Sequence, residues 1–131
     1  MKLVFRVLTL GLVLSFAAPA FAIEQAAQSA TEFYQAYRKA FAKAQKIEDI
    51  LPMMTASRRK EMEKTPADER KMMFEMLKEM TAGQGDVKVL KETAKGTGAE
   101  LTLESKSEKG TATIVKEGGA WKLDKESWTN K

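Results

Sequence analysis

The sequence predicts an α+β fold, with N-terminal helices packed on a curved, four-stranded antiparallel sheet (cone-like). Two observations carry this. Apolar residues recur at steps of three and four as far as Gly83-Gln84-Gly85, and at steps of two beyond it. Past that boundary, short connections rich in Gly and Ser divide the chain into four alternating runs, the pattern of a meander.

The chain opens with a segment that stands apart from this domain. Met1–Ala22 has a positive start in Lys2 and Arg6, an apolar stretch over Val7–Phe16, and the small-residue site Ala20-Phe21-Ala22. This is the pattern of a secretory signal peptide, with cleavage expected near Ala22. The apolar stretch is short for a membrane span, and no stop-transfer pattern follows, so no transmembrane segment is expected in the mature chain. The expected address is exported: periplasmic or secreted. Residues 23–131 then form one domain, large enough for a single core.

The chain contains no cysteine. That removes disulfides, and with them a lipid anchor on an N-terminal cysteine. The formal net charge of +4 includes Lys2 and Arg6, so the mature domain is two units closer to neutral. Such a balance, with both signs interspersed, gives no counterion-release drive toward nucleic acid.

The first helix is expected from Ala26 or Ser29 to Lys46. Ser29 and Glu32 have capping-box spacing, and Phe33, Tyr37, Ala40, Phe41 and Ala44 share one face. Ile47–Met54 reads as a short helical stretch ended by Pro52, and Ser57–Lys64 as a turn or two more. Thr65 is placed to cap a longer helix, with Pro66 at its first position and Asp68 at the capping-box site. That helix carries Met72, Met73, Met76, Leu77 and Met80 on one stripe, with Gly83 as its expected stop.

The strand half follows, with helices over about 26–82 and strands over about 86–128. Asp86–Ala94 alternates through Val87 and Val89, Ala99–Lys106 through Leu101 and Leu103, and Thr111–Glu117 through Ala112 and Ile114. Gly118-Gly119 is a two-residue hairpin turn. Ala120–Trp128 closes the domain with Trp121 and Leu123 on one face. Regular alternation puts Trp128 on the other face, unless a bulge re-aims it.

This order, with Phe33-Tyr34-Gln35-Ala36-Tyr37, the Pro-ended Ile47–Met54 and the closing Val115–Leu123 hairpin with its Gly-Gly-Ala-Trp-Lys-Leu, resembles the nuclear transport factor 2-like superfamily. The nearest likeness is to small exported bacterial domains of unknown function, some described as lumazine-binding-like. The resemblance implies a pocket between the helices and the concave sheet, and a homodimer through the sheet face. Enzymes of that superfamily place His, Asp or Tyr in the cone. This chain has no histidine, so no catalytic residue is carried over.

The candidate pocket lining is Phe33, Tyr37, Phe41, Met73, Leu101, Leu103, Trp121 and Leu123; the same residues also suit a filled core. The expected function is non-enzymatic binding of a small apolar or amphipathic ligand, or of a protein partner, with no cofactor and no metal. One alternative is a proton-transfer isomerase or lyase of the same fold, using Tyr34 or Tyr37 with Glu48 or Asp49. Another is Cu(I) held by thioethers of Met72, Met73, Met76 and Met80, against which stands ordinary core packing of methionine. A third is an interaction protein using an exposed sheet face with Trp128. Arg58-Arg59-Lys60 reads as a solvated basic cluster, and Gly96-Thr97-Gly98 as a turn.

Overall fold

The computed structural model describes residues 28–131. The expected leader, Met1–Ala22, and the Ala26 alternative for the first helix start lie outside the described residues. Three α-helices and two 3₁₀ turns precede four strands: α1 (Ala30–Lys43), turns at Ile47–Asp49 and Leu51–Met53, α2 (Ala56–Lys64), α3 (Ala67–Gln84), β1 (Lys88–Lys95), β2 (Gly98–Glu104), β3 (Glu108–Glu117) and β4 (Ala120–Asn130). The strands form one open antiparallel sheet in chain order. The α+β class and the four-stranded meander are as the periodicity predicts.

α1 starts where its cap dictates. The Ser29 hydroxyl accepts from the Glu32 amide at 3.1 Å, satisfying one of the amides left orphaned at a helix start. Glu92 on β1 accepts from the Thr31 amide at 2.7 Å and from the Thr31 hydroxyl at 2.8 Å, pinning the first turn to the sheet. The helix ends at Lys43, three residues short of expectation, because Ala44 turns extended. Lys78 of α3 donates to the Ala44 carbonyl at 2.6 Å, placing a cation at the negative end of the helix.

α2 carries little apolar surface and is held by polar contacts instead. The Thr55 hydroxyl caps it, accepting from the Arg58 amide and donating to Asp124 Oδ1 at 3.1 Å. The Thr55 amide donates to the Leu123 carbonyl at 3.0 Å, and Met54 bridges Leu123 in parallel. This segment therefore covers part of the free edge of β4, which would otherwise expose unpaired backbone groups.

α3 departs from the expected boundaries at both ends. Pro66 is the N-cap residue, not the first helical one, and the Thr65 hydroxyl donates backward to the Glu61 carbonyl. The helix passes through Gly83 and stops at Gly85, whose φ of 64° is left-handed and costs glycine little. The methionine stripe is also corrected. Met72, Met76 and Met80 are 72%, 56% and 54% exposed, while Phe74 is buried and Leu77 packs against the core. Phe74, Leu77, Thr81 and Gln84 set the inward phase at helical spacing, and the methionines flank it.

Two bulges set the faces of the sheet. In β1 the register shifts between Val89 and Lys91, leaving Leu90 as the extra, exposed residue. In β4, Thr113 pairs Lys125 but Ile114 pairs Leu123, so Asp124 is extra. An extra residue reverses the alternation beyond it. Trp121, Leu123, Glu126 and Trp128 consequently share the inner face, and the bulge re-aims Trp128. On β3, Ile114 pairs Leu123, Ala112 pairs Glu126 and Gly110 pairs Trp128; Leu101 and Leu103 of β2 continue the same face opposite Ala112 and Gly110.

The core lies between this face and α1. Phe33, Ile50, Leu101, Leu103, Ala112 and Ile114 are fully buried. The outer face presents Thr102, Thr111, Lys125, Ser127 and Thr129, all exposed. It offers no contiguous apolar patch of the kind a stable dimer buries, so the expected homodimer finds no support there. Among the described residues, no helix is long and apolar enough to cross a membrane.

Candidate functional site

A cavity of about 280 Å³ opens between α1, the first 3₁₀ turn, α2, α3 and β4. Its apolar wall includes Tyr37, Phe41, Met54, Leu77, Leu123 and Trp128; its polar side chains are Arg38, Arg58, Thr81 and Glu126. Met62 and Met80 also belong to its lining. A larger hollow of about 470 Å³ lies between α1 and α3, lined by Gln35, Arg38, Lys39 and Lys78 among others. It is a surface groove edged by the cationic side chains of Arg38, Lys39 and Lys78. The smaller cavity has the apolar walls and few convergent polar groups that mark a ligand site.

Each wall follows from local structure. Tyr37 and Phe41 sit one helical turn apart on α1, their ring centroids 6.1 Å apart. Phe41 meets Phe74 of α3 edge-on at 5.5 Å, closing the back of the helical layer. Trp128 lies over Gly110 of β3, its pair in the register. Its indole N–H donates to Glu126 Oε1 at 3.1 Å.

The polar centre holds two phenols and a carboxylate. Tyr34 is buried beside Tyr37, ring centroids 6.3 Å apart. Burial, and next the negative charge of Glu126, hold the Tyr34 proton on well above the ordinary value of 10.0. Tyr37 is raised for the same two reasons in the same order. The Tyr34 hydroxyl lies within the influence of Glu126 and Arg38, yet neither it nor Glu126 Oε2 closes a hydrogen bond of ordinary geometry among the described residues. Arg38 Nη1 donates to Gln84 Oε1 at 3.2 Å, and Arg58 Nη1 to the Asp124 carbonyl at 3.3 Å.

The tyrosines make an alkaline prediction. Their folded values lie above the unfolded one, so the neutral phenols support the fold fully below about pH 10. That support is lost as pH rises through the folded values, because the unfolded chain releases these protons first. With Tyr34 and Tyr37 the only tyrosines, tyrosinate absorbance is expected to appear together with unfolding, as followed by circular dichroism. Tyrosinate formed at about pH 10 in a chain still folded would contradict the placement of both rings.

No family model, curated protein or solved structure matches this chain.

Of the residues expected to line the pocket, the structure brings Tyr37, Phe41 and Leu123 to the cavity wall. Phe33, Leu101 and Leu103 are wholly buried and fill the core. Trp121 packs against that core, its indole N–H donating to the Gln28 carbonyl at 2.7 Å and Lys116 lying 4.7 Å over its ring. Met73 is partly exposed on α3 and outside the cavity lining.

The acids expected beside the tyrosines are also corrected. Asp49 accepts from the Gln45 and Lys46 amides, and Glu48 faces Arg70 at 3.8 Å. Neither lines the cavity; the carboxylate beside the tyrosines is Glu126. The basic cluster is only partly solvated, since Arg58 and Arg59 both donate to backbone carbonyls, Arg59 to Met54 at 3.0 Å. Sequence reasoning did not place Glu126, Arg38, Arg58 or Leu77 in the pocket. Glu126 and Trp128 are two apart and must share a face of a strand, but which face depends on the Asp124 bulge.

Proposed function

We propose that this is an exported, non-enzymatic domain of nuclear transport factor 2-like shape that holds a small amphipathic ligand in the cavity between its helices and β4. The observation that carries the reading is the cavity itself: apolar walls from α1, α3 and β4 converge on a carboxylate and two guanidinium groups. Its volume falls just below the usual range of ligand sites, about 300–1,000 Å³, which points to a small occupant. Helices preceding a four-stranded meander support the family reading, and the residue pattern of Met1–Ala22 supports export.

Two features favour holding over proton transfer. The phenols keep their protons well above neutral pH, so they are poor acids at working pH. Among the described residues, the only carboxylate lining the cavity is already hydrogen-bonded to Trp128. The copper reading is weaker, because a rise of about 1.5 Å per residue separates Met72 from Met80 by about 12 Å along α3. That span is too long for both to share one ion with Met76.

The test uses N-phenylnaphthylamine, an uncharged dye whose emission rises in apolar surroundings. The purified protein is expected to enhance and blue-shift the emission at one site per chain. Leu77→Trp, which places a larger ring at the cavity wall, is expected to abolish this while the circular dichroism spectrum stays unchanged. No enhancement with the parent protein, or equal enhancement with a folded Leu77→Trp variant, would overturn the reading.

A further inference from the structure

We infer that the occupant of the cavity is an amphipathic anion: an apolar chain inside the cavity, with a carboxylate or phosphate head at Arg38, where the cavity meets the groove between α1 and α3. The inference rests on the ligand-binding reading and names the charge of the ligand and the place of its head group.

The first support is the state of the charged groups in the cavity. Glu126 has little left for a ligand: its Oε1 takes the Trp128 indole N–H, and its Oε2 is buried beside the Tyr34 hydroxyl. The guanidinium groups have donors free. Arg38 donates to Gln84 Oε1 and lies near the Tyr34 hydroxyl, and Arg58 donates to the Asp124 carbonyl, whereas a guanidinium has five N–H groups. Both side chains line the cavity and are only partly exposed. Ion pairs among the described residues join Arg70 to Glu48, Lys95 to Glu100 and Lys131 to Glu104, so neither cavity arginine has a carboxylate at ion-pair distance. A charge drawn partly out of water without a counter-ion is unfavourable, and an anionic ligand relieves it.

The second support is the neighbouring groove. Arg38 and Thr81 line both hollows, so the two adjoin at these residues. The groove adds Lys39 and Lys78 against one carboxylate, Asp86. Lys78 gives one N–H to the Ala44 carbonyl, and an ammonium carries three. Lys39 is exposed. Among the described residues, the two hollows together therefore set Arg38, Lys39, Arg58 and Lys78 against Asp86 and Glu126. A neutral head leaves this excess of positive charge unanswered, and an ammonium head is repelled by it. Arg38 directly follows Tyr37 on α1, so a head at Arg38 leaves the chain against Tyr37, Phe41 and Leu77.

A matched series tests this: octanoate, octyl phosphate, octanol and octylammonium, each titrated into the purified protein and followed by displacement of N-phenylnaphthylamine. At least one anion is expected to bind about tenfold more tightly than octanol, the scale of one hydrogen bond to a charged group, and octylammonium more weakly than octanol. The tighter anion identifies the head as carboxylate or phosphate. Arg38→Gln is expected to bring that anion down to the affinity of octanol. Lys39→Gln, a change at an exposed position, is expected to weaken it by about threefold, the scale of one exposed ion pair, and carries the test should Arg38→Gln not fold by circular dichroism. Octanol binding as tightly as both anions, tighter binding of octylammonium, or an anion preference unchanged in the folded variants overturns the inference and leaves the cavity reading standing. Failure of all four to displace a bound dye also overturns the inference alone; a silent dye overturns the cavity reading with it.

Discussion

Phe33→Ala is expected to destabilise the domain by about 3–5 kcal/mol, the usual cost of emptying a fully buried aromatic site. Phe33 has no exposed surface and sits on the α1 face that crosses the sheet. Its neighbours cannot close over the gap easily. Leu101 and Leu103 are fixed by pairing on both sides in a central strand, and α1 is anchored at its first turn by Glu92. With total stability of a small domain near 5–15 kcal/mol, this is a large share. Urea unfolding followed by circular dichroism measures it. A loss below about 1 kcal/mol would mean that α1 does not pack on the sheet through this residue.

Gly110→Ala is expected to disturb both the fold and the cavity. A Cβ at Gly110 would lie 2.6 Å from Cε3 of Trp128 and 2.8 Å from the Ser127 carbonyl oxygen. The indole can swing away, but the carbonyl is backbone in the adjacent strand. Relief requires moving Trp128 off its platform or shifting β3 against β4, at about 1–3 kcal/mol as for other overpacked sites. Either movement breaks the Trp128 contact with Glu126 and alters the cavity wall. In a Trp121→Phe background, where Trp128 alone emits, the emission is expected to shift to the red and dye binding to weaken at least several-fold. An unchanged emission with unchanged stability would show that Trp128 does not rest on Gly110.

Much of the fold is legible in the residues. Ser29 and Glu32 mark the start of α1 because a hydroxyl three residues ahead of an amide caps it wherever the helix is placed. The change of period after Gln84 marks the passage from helices to strands, and Gly118-Gly119 marks a hairpin because both residues accept positive φ, here 58° and 80°. The stretch Phe33, Tyr37, Phe41 is read correctly as one buried face, since helical spacing alone brings it together.

The errors have physical causes as well. Methionine suits a core by hydropathy, but one helix buries one phase, and on α3 that phase belongs to Phe74 and Leu77. Glu48 and Asp49 are near the tyrosines in sequence, yet a 3₁₀ turn directs them to the Lys46 amide and to Arg70. Phe33, Leu101 and Leu103 are apolar and inward, which describes a wall and a filled core equally; the difference is whether something packs against them.

The local periodicity of this chain determines its α+β class, its element order, its caps and turns and most of its core, because these depend on residues within a few positions of one another. The tertiary structure alone decides the site. Glu126 and Trp128 enter the cavity because one extra residue, Asp124, reverses the alternation of β4, and that bulge exists only in pairing with β3. Arg38, Arg58 and Leu77 join them from three different helices, brought together by packing that no spacing in the sequence records.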